Sequence, residues 1–288
     1  MPSEINWFPG HMTKTLRSIA EQLKLVDVVI ETADARIALA SRNPELDALI
    51  QSKPRVLVLN KADLADPVVT SAWISYFNKL DISVVACDST RKKGLNQVRE
   101  NCKTLCAEIL DRAKQKGRIG RPIRAMVVGI PNSGKSTLIN SLCNRKIAVT
   151  GDRPGVTRGY QWARTDAELE LMDMPGTLWP KLGSRKNQLG LTITGAVRME
   201  IVNTIEVAVE ALELFLELYP EQLCERFNLP RPGTDEFPQD MYELFLFAAK
   251  KRGCILSGGR IDEERFAVLL LEDYRSGRIG RFSLEKPS

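Results

Sequence analysis

Residues Gly129–Ser136, GIPNSGKS, constrain the fold of this 288-residue chain more than any other stretch. They satisfy G-x-x-x-x-G-K-[ST], with the apolar run IRAMVV before them and the helix-forming KSTLINSLC after. A glycine-rich turn that leaves a buried strand and opens a helix belongs to a parallel, helix-covered sheet. The rest of the first 175 residues agrees. Strands are predicted at Leu25–Ile30, Arg55–Leu59, Ser83–Ala86, Ala125–Gly129 and Leu169–Met172, and helices at Val69–Leu80, Leu95–Ala113 and Lys135–Leu142. This alternation predicts a doubly wound α/β sheet, its two halves joined by the basic connector Lys114–Arg124. After Gly190 the strand signal fades, and helices are expected around 191–227, 239–252 and 262–275, with a Pro/Gly-rich loop at Leu229–Pro238. The expected organisation is an α/β domain over 1–183 and a smaller all-α domain over 184–288.

The glycines let backbone N–H groups wrap phosphates, and the following helix N-terminus adds positive potential. Asn132, Ser133, Gly134, Lys135, Ser136 and Thr137 are therefore candidate nucleotide-binding residues. Lys135 is assigned to the β/γ-phosphates, as a catalytic group, and Ser136 to Mg²⁺. Asn60-Lys61-Ala62-Asp63 follows the strand RVLVL, at the edge where open α/β sheets bind ligands. A carboxylate at Asp63 accepts from N1–H and the 2-amino group of guanine; adenine would leave it unpaired. Asn60 braces this loop and the Lys61 stem covers the base. Asp173-Met-Pro-Gly176 has the form D-x-x-G, with Asp173 directed to Mg²⁺ and the Gly176 N–H to the γ-phosphate. In the loop Gly151–Gly159, Thr157 is the candidate to close on Mg²⁺ and the γ-phosphate, and it is placed with the catalytic residues. The loop Ser89–Gly94, with Ser89 and Thr90, is expected to contact the guanine O6.

The order of these motifs is unusual. Guanine-nucleotide switches ordinarily present the phosphate motifs first and the base-reading motifs last. Here the base motifs stand at 60 and 89, and the phosphate motifs at 129, 157 and 173. Such a rearrangement leaves a pocket intact but sends the chain from Gly176 straight into the C-terminal helices, which makes those helices a direct reader of nucleotide state.

Ile5–Met12 (INWFPGHM), Asp34-Ala-Arg36, Ser41-Arg-Asn-Pro44, NKAD, GIPNSGKST, GDRPGVT, DMPGTLWPK and Lys251–Gly259 (KRGCILSGG) together resemble the ribosome biogenesis GTPase A family over nearly the whole chain. The resemblance implies a circularly permuted P-loop GTPase domain followed by a helical domain that contacts ribosomal RNA. It implies GTP hydrolysis during late assembly of the large ribosomal subunit, slow alone and stimulated by the particle. Ala38 stands where the family usually has Pro, and Ser133 where it often has Val; neither is expected to touch chemistry. Thr177 follows D-x-x-G where a switch protein ordinarily carries a water-orienting Gln, and its hydroxyl is too short for that task. His11, the sole histidine, is a structural residue or a catalytic one on the residues alone, and the resemblance implies the catalytic role. Asn132 matches an asparagine associated with potassium-activated GTPases; K⁺ near the phosphates would neutralise developing charge, and a plain turn role is the alternative.

Charge bears on the partner. Residues 1–189 hold 29 Lys+Arg against 19 Asp+Glu, residues 190–249 hold 3 against 11, and residues 250–288 hold 9 against 6. A basic first region and basic tail suit a polyanion such as RNA, although a solvated surface of mixed sign reads the same way. No apolar run approaches a membrane span, and the six cysteines are scattered without a C-x-x-C pair, so a cytoplasmic protein without membrane partners is expected; it is also expected to be a monomer. Competing readings are a GTP/GDP sensor with little hydrolysis, a GTPase acting on another RNA such as tRNA, and a P-loop ATPase, which Asn60 and Asp63 disfavour.

Overall fold

A computed structural model describes residues 11–148, 160–165 and 169–287. Six strands form one sheet: β1 (Val28–Asp34), β2 (Arg55–Asn60), β3 (Ser83–Ala86), β4 (Ile123–Gly129), β5 (Gln161–Arg164) and β6 (Leu169–Asp173). Their spatial order is β3-β2-β1-β4-β6-β5, all parallel except the antiparallel edge strand β5. The chain winds from β1 outward to β3 and then returns to place β4 on the other side of β1. That reversal puts a topological switch point, and hence a crevice, beyond the C-terminal ends of β1 and β4. The register Thr32↔Gly129 sets the end of β1 beside the start of the glycine loop.

Helices α1 (His11–Gln22), α2 (Pro44–Ile50), α3 (Pro67–Lys79), α4 (Leu95–Leu105), α5 (Ala107–Gln115) and α6 (Lys135–Leu142) surround this sheet. The central strands are buried on both faces because helices cover both. On one face Val28, Val58, Val127 and Leu171 pack with Cys102, Cys106 and Leu138. On the other, Ile19 of α1 and Ile50 of α2 pack with Val29, Met126, Met172 and Met174.

Several boundaries differ from expectation. The first strand begins at Val28, not Leu25, because Leu23–Leu25 forms a 3-10 turn with Leu25 partly exposed. The helix expected over Leu95–Ala113 breaks at Cys106, whose ψ of 8° leaves the helical range while its buried side chain stays beside Cys102. The strand Gln161–Arg164 is absent from the sequence expectation; four residues give too short a period-two signal.

Beyond the sheet lie α7 (Arg185–Ile193), α8 (Thr204–Leu218), α9 (Pro220–Phe227), α10 (Met241–Lys251) and α11 (Glu263–Arg275). The expected 191–227 helix is three helices: a 3-10 turn at Met199–Ile201 separates the first two, and Pro220, at the first position of α9, divides the others. The helical region does not stand apart. Its core, built on Phe215, Phe245, Phe266 and Leu270, is continuous with Ile37, Ile130, Leu178 and Trp179 of the first region. The last residues return to the sheet side as well: Leu284 N–H donates to Arg36 O at 2.8 Å and the Trp73 indole N–H to Glu285 O at 3.3 Å.

Candidate nucleotide site

The glycine loop leaves β4 at Gly129, turns through Asn132 at φ 58°, and enters α6 at Gly134, φ 87°. Two close approaches require those glycines. A Cβ at Gly129 would strike the Thr32 carbonyl, and one at Gly134 would strike the Asn60 amide. The loop is pinned from beneath by Ser133, buried, whose hydroxyl lies 2.7 Å from Thr32 Oγ1 and 2.9 Å from Ile130 O. Ser136 and Thr137 are half-buried in the first turn of α6.

Lys135 is buried, with Nζ donating to Ile130 O at 2.8 Å inside its own loop. Burial pushes its ammonium down to about 8, against the pull of nearby Asp173. A desolvated ammonium held in a cradle of this kind gains most from an incoming anion. Asp173, at the end of β6, is fully buried and both carboxylate oxygens lack a hydrogen-bond partner among the described residues. Burial raises its pKa, while Lys135 and the nearby Gln161 side chain, its register partner on β5, lower it. An orphaned buried carboxylate beside a P-loop serine suits a hard cation that takes one carboxylate and completes its shell with phosphate and water. Asp173 and Ser136 therefore fit Mg²⁺. Gly176 lies where a Cβ would come 2.8 Å from Lys135 Nζ and from Pro131 N, so the D-x-x-G segment closes directly on the phosphate loop.

The base motif is built into the same crevice. Asn60, buried at the end of β2, donates from Nδ2 to Ser133 O at 3.0 Å and accepts from Ser89 Oγ at 2.7 Å. Lys61, at φ 56°, places Nζ 2.5 Å from Asn132 O and 3.3 Å from Asp34 Oδ2. Asp63 follows, half-buried, and Thr90 is exposed beside the buried Ser89. Asn60 thereby links the base motif to the phosphate loop and to Ser89. Thr157 lies outside the described residues. His11 is the first residue of α1; its side chain lies outside the described atoms.

Residues that motif spacing did not single out complete the site. Asp34 is buried and bidentate with Arg36, at 2.9 and 2.7 Å. Burial alone would raise its carboxyl, but Arg36 and Lys61 hold it far below the ordinary carboxylate range. Arg36 in turn lies under the Tyr274 ring, 4.9 Å from its centroid. From the helical region, Thr194 O accepts from Asn132 Nδ2 at 3.0 Å, and Arg275 holds the carbonyls of Thr192 and Ile193 at 3.0 and 2.8 Å. Asn43 Nδ2 reaches both Thr177 O and Oγ1 at 3.4 Å, and Thr177 is buried. Thr177 is thus packed against Asn43 rather than directed away from the loop. Asp34, Arg36 and Asn43 fall in segments that the family resemblance marks; Thr32, Thr194 and Tyr274 left no local signal.

Residues 124–222 match the family model described as 50S ribosome-binding GTPase. The chain is 47% identical over 285 residues to Ribosome biogenesis GTPase A of Priestia megaterium, covering 99% of this chain and 97% of that protein. It is 47% identical over 283 residues to Ribosome biogenesis GTPase A of Bacillus cereus, covering 98% and 94%. The GNP-bound crystal structure of YlqF from T. maritima superposes with a TM-score of 0.67 at 26% identity, covering 96% of this chain and 99% of that one.

Proposed function

The chain belongs to the ribosome biogenesis GTPase A family and is a GTPase of ribosome biogenesis, and we propose that it acts as a nucleotide switch in late assembly of the large ribosomal subunit, turned over by the particle itself. One observation carries the switch reading: the Asn132 side chain donates to Thr194 O, a direct bond between the phosphate loop and the C-terminal helical region. Any shift of the loop on gain or loss of the γ-phosphate is felt at the start of that region. In this reading residues 1–183 form the nucleotide unit and residues 184–288 the ribosome-facing unit, which contacts ribosomal RNA and protein from the cytoplasm as a monomer. Among the described residues no helix is long and apolar enough to cross a membrane.

Guanine is read by Asp63, with Asn60 and Ser89 bracing the loop and Lys61 tying it to the phosphate loop. Gly134, Lys135, Ser136 and Thr137 hold the phosphates, and Gly176 N–H meets the γ-phosphate. Mg²⁺, when bound by Ser136 and Asp173 with Thr157, neutralises phosphate charge. Asn132 keeps its Oδ1 for a K⁺ ion because its Nδ2 is already engaged with Thr194. Hydrolysis needs a water in line with the γ-phosphorus. With Thr177 buried against Asn43, the orienting group comes from elsewhere, and His11 is assigned to it. Helix α1 is compatible with this: its Ile19 shares a core with Met172 and Met174, the neighbours of Asp173.

Co-sedimentation with purified large subunits tests the proposal. Binding is expected with a non-hydrolysable GTP analogue and to fall at least tenfold with GDP. Equal binding in both states, or turnover unchanged by the particle, overturns it.

A further inference from the structure

Among the described residues, the β5 edge of the sheet carries exposed aromatic and cationic side chains. Arg124 of β4, Glu170 of β6 and Arg164 of β5 are direct neighbours across three strands. One carboxylate serves both guanidinium groups: Glu170 accepts from Arg124 Nε at 3.0 Å and from Arg164 Nη2 at 2.6 Å. Each arginine therefore keeps unused donors, both being about half or more exposed. Trp162, two residues before Arg164 on the same strand face, is 40% exposed, with the Arg124 guanidinium 5.6 Å from its ring. Two adjoining open clefts, of about 370 and 380 Å³, run across this ground. Leu25, Arg124, Trp162 and Arg164 bound the first, and Arg118 and Arg121 extend the second. Residues 114–124 add five basic side chains and no acidic one.

A half-exposed indole on an edge strand is costly for a protein that needs only to fold, since it invites association. Next to a band of arginines it has a specific use. Single-stranded nucleic acid is held by phosphates along a basic track and by a base stacked on an aromatic ring, and arginine serves both parts. We propose that this surface binds single-stranded RNA, with backbone phosphates along Arg118, Arg121, Arg124 and Arg164 and one unstacked base on Trp162. This second contact rests on the reading that the partner contains RNA.

Anisotropy of fluorescein-labelled U12 RNA, titrated with the full GDP-loaded chain at several KCl concentrations, tests it. The parent is expected to bind with a marked salt slope. Trp162→Ala should weaken binding about tenfold or more. Arg118→Gln with Arg164→Gln should reduce the salt slope by about 1.4, from roughly 0.7 per lost phosphate contact on a single strand. Unchanged mant-GDP affinity shows that each variant is folded. In the parent, 4-thiouridine-substituted U12 should crosslink within 118–124 and 160–164. Failure of the parent to bind U12 overturns the proposal. So does binding by both variants within twofold of the parent, or crosslinking confined to 190–287. A protein strand pairing with the β5 edge would give the second of these results. Co-sedimentation of the same variants with large subunits separates the two readings: retained, salt-sensitive binding there leaves the RNA partner standing while this surface fails.

Discussion

The Lys61 ammonium lies 2.5 Å from the carbonyl oxygen of Asn132, a bond between two motifs 71 positions apart in the chain. One end belongs to the base-reading loop and the other to the phosphate loop. The same lysine pairs with Asp34, and the same asparagine donates to Thr194, so base loop, phosphate loop and helical region meet in one polar network.

Asp63→Asn changes the group presented to the base from two acceptors to an acceptor and a donor. GTP affinity is expected to fall well over tenfold, with preference moving toward xanthosine nucleotides, whose C2 oxygen accepts. Competition titration with GTP and XTP measures this. Unchanged GTP affinity would remove Asp63 from base recognition.

Arg36 is fully buried, and truncating it leaves Asp34 in the interior with, among the described residues, Lys61 alone as a charged partner. Breaking one side of a buried pair costs about 3–5 kcal/mol. Arg36→Ala should therefore lower the urea midpoint strongly at neutral pH. Since Asp34 is ionised far below the ordinary carboxylate range in the fold, its paired state contributes stability above the unfolded carboxylate pKa, and that contribution is lost only in strong acid. The parent's advantage over the variant should persist from neutral pH down through pH 5; an advantage that vanishes by pH 6 would contradict the pairing.

Gly195 sits at φ 84°, and a Cβ there would come 2.8 Å from Asn132 Nδ2. Gly195→Ala should push on the phosphate loop from the helical side, at about 1–3 kcal/mol of local strain. Weaker mant-GDP binding by several-fold, with circular dichroism unchanged, is the expected result. Parental affinity would show that the Asn132–Thr194 contact does not communicate.

His11→Ala is expected to keep GTP, GDP and large-subunit affinity while losing roughly 10²–10⁴ of particle-stimulated turnover, the range of a positioning or acid–base group. Single-turnover hydrolysis on large subunits gives the number. Turnover within a few-fold of the parent would make His11 structural and leave water positioning to the particle.

Binding to the large subunit should also weaken steeply with salt if RNA phosphates are contacted by the Lys250–Lys251–Arg252 end of α10 and by the basic first region. Deleting residues 190–288 is not a clean test of this. The helical region shares its core with Ile37, Ile130, Leu178 and Trp179, so truncation would expose apolar surface beside the glycine loop. Charge-reversal at Lys250 and Lys251 avoids that damage.

The nucleotide motifs were legible in the sequence because each is local. A P-loop, an N-K-x-D and a D-x-x-G each need only a few adjacent residues and a flanking strand, and the strands before them follow from apolar runs. Motif order, and hence the permuted topology, was legible for the same reason. Tertiary structure decided what those motifs rest on. Thr32 reaches Ser133, Lys61 reaches Asn132, and Thr194 and Tyr274 meet the crevice only because parallel register and helix packing bring distant residues together. No period or spacing along the chain encodes such pairs. The edge strand carrying Trp162 escaped for a related reason: four residues are too few for a periodic signal, and their pairing with β6 comes from the partner strand rather than from themselves.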